Sequence, residues 1–127
     1  MKEKTQGATS DAMTGSIIEC VIKVHKALGP GFPKDIYRNA LVIELKNAGL
    51  TVEPEKELTV QYDGQPVGKH RLDVLVEDRV ILDVQTVDKL RPGDYARLRS
   101  YLRAAGLSVG LLLNFALEKS DFRRVET

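Results

Sequence analysis

The sequence has a single cysteine, Cys20, no tryptophan, and an aromatic content of only 6%. One thiol closes no internal disulfide and builds no cysteine-rich zinc site, so an apolar core has to supply the stability. Basic and acidic residues nearly cancel, 19 against 18, for a formal net charge of +1. Such a balance gives no whole-molecule attraction to nucleic acid, and any binding of that kind rests on local clustering. The first apolar run is shorter than a signal h-region or a membrane span, so a cytoplasmic location with no membrane partner is expected. Internal repeats, glycine-rich phosphate loops and zinc-ligand spacings are also missing, which leaves nucleotide and zinc binding unsupported.

What is present is a dense apolar pattern. With 43% hydrophobic residues in 127, the chain suits one compact domain. Residues 1–12 carry no apolar period and are expected to be a disordered tail, with a single domain over 13–127. Thr14 is a plausible N-cap for a helix in which Ile17, Ile18, Val21, Val24 and Leu28 recur at helical spacing until Gly29-Pro30-Gly31. A second helix follows, with Pro33 in its first turn, Ile36, Ala40, Leu41 and Leu45 on one face and Gly49 just past its end. The period then becomes two. Glu57 to Tyr62, Gly68 to Val76 and Val80 to Gln85 read as strands, with Asp63-Gly64 a hairpin turn and Glu77-Asp78-Arg79 a three-residue loop. Pro92 to Ala105 reads as a third helix with Tyr95, Leu98, Leu102 and Ala105 inward. Ser108 to Phe115, apolar on both faces, fits an interior strand reached by a parallel crossover, and Phe122 to Val125 a short edge strand. The expected class is α/β, a mixed sheet with helices packed on it.

Two acids stand out inside apolar strands: Asp73 in Arg71-Leu72-Asp73-Val74-Leu75-Val76 and Asp83 in Val80-Ile81-Leu82-Asp83-Val84-Gln85. An unpaired charge is costly to bury there. Alternation places Leu72, Val74 and Val76 on one face of their strand, with Asp73 and Leu75 on the other. With the three-residue loop, Val76 pairs with Val80 and Asp73 is expected directly opposite Asp83, their Cα atoms about 5 Å apart.

The blocks Val24-His25-Lys26-Ala27-Leu28-Gly29-Pro30-Gly31-Phe32, Tyr37, Asn39-Ala40-Leu41, Glu44-Leu45, Gly49-Leu50 and Gly110-Leu111-Leu112-Leu113-Asn114-Phe115 resemble the GxxExxY family of PD-(D/E)XK nuclease-like proteins. The resemblance runs from about residue 13 to residue 125 and implies a restriction-endonuclease-like fold. In that superfamily carboxylates hold Mg²⁺ against the scissile phosphate, while a lysine activates the attacking water. Carried over residue by residue, the resemblance makes Asp73 the family's aspartate and Asp83 a shortened second acid, the two candidate metal ligands. It also puts Lys34 where the family has glutamate, Gln85 where it has the lysine, and Arg97, four residues before Tyr101, where it has glutamine. Gln85 has no charge to stabilise hydroxide, and Lys34 brings a cation where an anion is usual.

The sequence therefore points to a degenerate catalytic site made of Asp73, Asp83, Gln85 and Lys34, with no cofactor, retained for binding DNA, RNA or a protein, or for self-assembly. Lys34 is expected to lie between the two aspartates in place of the lost metal. Two alternatives stay open: an active Mg²⁺-dependent nuclease with Lys34 as a relocated catalytic lysine, and a purely structural self-assembling module. Arg97, Arg99, Arg103 and Tyr101 are the candidate nucleic-acid contacts, with Arg91, Arg123 and Arg124 extending a basic strip. A homo-oligomer is expected. His25 reads as a helix-terminal residue with local hydrogen bonds, Cys20 as a small buried residue, and His70 as an exposed strand position.

Overall fold

The protein is described by a computed structural model covering residues 8–127. Its elements run α1 (Ala8–Leu28), α2 (Lys34–Asn47), β1 (Val52–Tyr62), β2 (Gln65–Val76), β3 (Val80–Gln85), α3 (Pro92–Ala105), β4 (Val109–Asn114) and β5 (Asp121–Glu126). The five strands form one sheet in the order β1-β2-β3-β4-β5. β3 and β4 run parallel and the other neighbours antiparallel, so the sheet is mixed, with α3 as the crossover between the parallel pair. The α/β class read from the periodicities holds. Among the described residues no helix is long and apolar enough to cross a membrane.

α1 begins at Ala8, ahead of the N-cap expected at Thr14. Thr14 is instead a buried residue inside the helix, because its neighbours Met13 and Ile17 already pack on the core and carry the helix through it. The rest of the expected tail, residues 1–7, lies outside the described residues. Gly29, at φ +69°, ends α1 with its N–H on the His25 carbonyl. Pro33 takes the N-cap position of α2, one place before the first turn. Gly49, at φ +86°, follows the last turn as expected. Ile36 is 40% exposed and does not join the inner face, which Tyr37, Leu41 and Leu45 fill.

The core has two layers. On one side of the sheet α1 and α2 pack Ile17, Val21, Val24, Tyr37, Leu41 and Leu45 against Val74, Val76, Leu82, Val84, Leu111 and Leu113. On the other, α3 packs Leu98 and Leu102 against Leu72, Leu75, Ile81, Leu112 and Val125. Every residue of β4 is buried, as its two-sided apolar pattern requires. Gly110 sets how close α3 comes to the sheet: a Cβ there would meet Leu98 Cδ1 at 3.0 Å and the Ile81 carbonyl at 3.1 Å.

Two details of β2 depart from simple alternation. Val76 does pair with Val80, Leu75 with Ile81 and Val74 with Leu82, but the β2–β3 ladder stops there, so Asp73 and Asp83 are not a ladder pair. Leu72 belongs to the α3 side with Leu75, not to the face of Val74 and Val76. A break in β1 lies opposite Asp73. Glu55, its neighbour across β1, has φ +53° and drops out of a pairing that continues on either side, Pro54 with Val74 and Lys56 with Leu72. The register is the same on both sides of Glu55. Beyond it, β1 and β2 continue as a two-stranded ribbon closed by Asp63-Gly64, both at positive φ, the geometry of a tight hairpin turn.

Candidate functional site

Where β2 leaves β3, a cavity of about 260 Å³ opens, lined among others by Lys34, Asp73, Asp83, Gln85, Arg97 and Tyr101. Six of the residues singled out from the sequence thus meet at one place, brought there by α2, β2, β3 and α3. The Asp73 carboxylate explains the opening. Its Oδ2 accepts the Val84 backbone N–H at 2.8 Å, a donor that faces β2 just past the last ladder pair. A side chain has replaced the strand as acceptor.

The other carboxylate oxygens are held in the same way. Lys34 Nζ donates to Asp73 Oδ1 at 2.9 Å. Arg97 Nη2 donates to Asp83 Oδ2 at 3.0 Å, and the Gln85 amide donates to Asp83 Oδ1. Each of the four oxygens therefore carries one donor from the protein itself. Lys34 is not shared between the two acids, as the sequence led us to expect. It pairs with Asp73, and Asp83 has its own cation in Arg97. With Asp73 out of the ladder, its carboxylate turns to the Val84 N–H and Lys34 while that of Asp83 meets Gln85 and Arg97.

Two further features set the orientation of the cations. Tyr37 is fully buried, stacks on Phe115 with centroids 4.6 Å apart, donates its hydroxyl to the Gly29 carbonyl and accepts the Phe32 N–H at 3.1 Å. It thereby clamps the Gly-Pro-Gly loop that delivers Lys34. Asp94, in the first turn of α3, accepts the Arg91 backbone N–H at 2.8 Å and the Arg97 guanidinium at 3.1 Å, which aims Arg97 at Asp83.

The electrostatics follow from burial and these contacts. Burial pushes the Asp83 carboxyl above the usual aspartate range, against the opposing pull of the Arg97 charge and its hydrogen bond. Burial alone would lower Arg97, but the charges of Asp83 and Asp94 outweigh it and hold the guanidinium above its ordinary value. The hydrogen bond from the Arg91 backbone holds Asp94 below the usual range. The Tyr101 hydroxyl is raised, chiefly by burial.

Arg99 lies on α3 away from the cavity, and Arg103 lines a separate surface depression with Arg79 and Ser108. The basic strip is also divided among local acids: Arg91 pairs with Asp88, Arg123 with Asp121 and Arg124 with Glu126. His25 is buried, and its Nε2 hydrogen-bonds the Leu117 carbonyl at 2.7 Å, 92 positions along the chain; the expected local bonding gives way to a tie between α1 and the segment after β4. Cys20 is buried as expected, its Sγ on the Glu44 carbonyl at 3.6 Å. Sequence reasoning missed Asp94, whose signal was its i, i+3 spacing to Arg97 in a first helical turn. His70 is an exposed residue of β2, as expected, and it also lines the cavity. Among the described residues no three His, Cys, Asp or Glu side chains are grouped to hold a metal.

A family model for the PD-(D/E)XK nuclease superfamily matches residues 11–125. The chain belongs to the PD-(D/E)XK nuclease superfamily. The crystal structure of SSO0001 is similar in fold, with a TM-score of 0.59 and 21% identity over 72% of this chain. The chain spans about half of that one, 48% of its length. Among curated proteins none matches. The mixed five-stranded sheet with helices packed on it is consistent with the restriction-endonuclease-like fold of that superfamily.

Proposed function

We propose that this chain is a GxxExxY-type member of the superfamily whose nuclease site is degenerate, and that it binds nucleic acid without cutting it. The observation that carries the first half is the complete internal pairing of Asp73 and Asp83. Mg²⁺ demands near-octahedral oxygen ligands at close range. Here the two carboxylates offer oxygens that already hold Lys34, Val84 N–H, Gln85 and Arg97, and two cations repel any third. The residues do not fit a divalent ion. In charge, Lys34 and Arg97 do for these acids what a dication does for an ordinary site of the superfamily: two negative charges are balanced by two positive ones.

The second half is supported by what surrounds the balanced core. Arg71 and His70 line the same cavity, giving basic groups beside the paired acids of a nearly neutral chain. Such binding should be weak in sequence preference and fall with salt. The test is a cleavage assay with Mg²⁺ and with Mn²⁺ on single- and double-stranded DNA and RNA, run beside binding at low salt. Binding without cleavage is the expected result. Cleavage lost in both Asp73→Ala and Asp83→Ala would overturn the degenerate site.

A second reading has one observation in its favour. The Lys34 ammonium reaches Asp73 at 2.9 Å, where a relocated catalytic lysine would need to be. On that reading the same assay shows activity that Lys34→Met removes.

A further inference from the structure

The rim of the cavity holds a feature that the paired acids and cations do not use. His70 of β2 and Tyr101 of α3 lie ring on ring, centroids 4.1 Å apart and planes 21° from parallel, with the Tyr101 hydroxyl 3.4 Å from His70 Nδ1. His70 is exposed, so the stack presents an open ring to solvent. Beside it are two cations with capacity to spare. The Arg71 side chain is 67% exposed and held only at 3.3 Å by Glu55, and the Lys34 ammonium keeps donors beyond the one that serves Asp73.

An aromatic platform next to partly exposed cations is the two-part chemistry of single-strand recognition: bases offer π-faces and the backbone offers phosphates. A duplex offers only the second, because its bases are stacked on each other. The cavity size agrees. About 260 Å³ falls below the roughly 300–1,000 Å³ of sites that enclose a whole small ligand, and suits one unit of a polymer whose remainder stays outside.

We propose that one unpaired nucleotide of a single-stranded nucleic acid docks here, its base on the open face of His70 and its phosphate toward Arg71 and Lys34, with no divalent metal. This rests on the nucleic-acid reading above and narrows it to single strands. Stacking tolerates any base, so composition matters little.

The test is fluorescence anisotropy in EDTA at low salt, with labelled oligothymidylate, oligouridylate and a DNA duplex of the same length. The wild type should bind at least one single strand more tightly than the duplex. Tyr101→Leu, which removes the support under His70, should weaken that binding about 5- to 150-fold, while Tyr101→Phe keeps the ring and the affinity. His70→Ala, at an exposed position, gives the same loss and serves if Tyr101→Leu does not fold by circular dichroism. Equal affinity for duplex and single strand, or unchanged binding in the folded variants, would overturn this inference and leave the broader binding reading intact. No binding to any of the three probes would remove both.

Discussion

Arg97→Met removes the guanidinium from Asp83 while keeping an aliphatic stem in place. Breaking a buried ion pair from one side costs about 3–5 kcal/mol, because the remaining charge is left without a partner. The Asp83 side chain is only 6% exposed, but that of Arg97 is 35% exposed, so water enters the space it leaves. We therefore expect a smaller loss than that range, about 2–3 kcal/mol near neutral pH. The pH dependence is the sharper readout. Burial already holds the Asp83 carboxyl above its ordinary value, and Arg97 is the main influence pulling it down, so its removal raises the folded-state pKa further. Between the ordinary aspartate value and that raised one, the folded state binds the proton that the unfolded state has released, and stability falls as pH rises. The deficit should therefore shrink on acidification, by at most about 1.4 kcal/mol per pH unit. Urea unfolding at several pH values measures it, followed by circular dichroism since the chain has no tryptophan. Arg97→Met combined with Asp83→Asn should recover most of the loss, as two residues that act as a unit do. A deficit that is the same from about pH 5 to pH 8, or no recovery in the double variant, would show that the guanidinium contributes through packing and not through the Asp83 charge.

Four other outcomes are expected. Mg²⁺ and chelators should leave the thermal midpoint unchanged, whereas a site filled at a hundredfold excess over its Kd would add about 2.7 kcal/mol; Lys34→Glu with Gln85→Lys and Arg97→Gln should create an Mn²⁺-dependent rise, and its absence would count against the charge-replacement argument. Lys34→Met should cost only about 0.5–1 kcal/mol in urea unfolding, because the Lys34 side chain is 40% exposed, and a loss larger than that of Arg97→Met would reverse the order of the two ion pairs. Gly110→Ala should destabilise by about 1–3 kcal/mol through overpacking against Leu98 and the Ile81 carbonyl, and wild-type stability would refute the close approach. Light scattering after size exclusion should show a closed homo-oligomer, a dimer by default, and a strict monomer at high concentration would dismiss self-association.

The parts of the fold governed by local periodicity were legible in the sequence. β3, α3 and β4 appeared within a residue of their observed limits, because apolar alternation, Pro92 and Gly106 mark them without tertiary help. The starts of β1 and β2 were not: residues 53–56 are Glu-Pro-Glu-Lys with no apolar alternation, and residues 65–67 are exposed. Leu72 shows the same limit. It packs on the α3 side with Leu75, a placement that the alternation of β2 does not announce. For the candidate site, the residue types at 34, 73, 83, 85 and 97 were readable, and the cavity does bring them together. Which cation serves which acid was not, because that choice depends on where the β2–β3 ladder ends, a balance between backbone pairing and the Asp73 side chain.

That early end of the ladder has a mechanical consequence. The ribbon made by β1 and the outer part of β2 pairs with β3 at three residue pairs, Val74–Leu82, Leu75–Ile81 and Val76–Val80, and beyond them it rests on α3 through Leu58 and Leu72. His70 lies four residues out from Val74, about 13 Å at the usual strand rise, and a tilt of about 5° at the root carries it by about 1 Å. A shift of that size changes the width of the cavity that His70 and Lys34 line. The stack of His70 on Tyr101 is then a strut as much as a platform, since it props the ribbon against α3, and α3 in turn is seated on the sheet by Gly110.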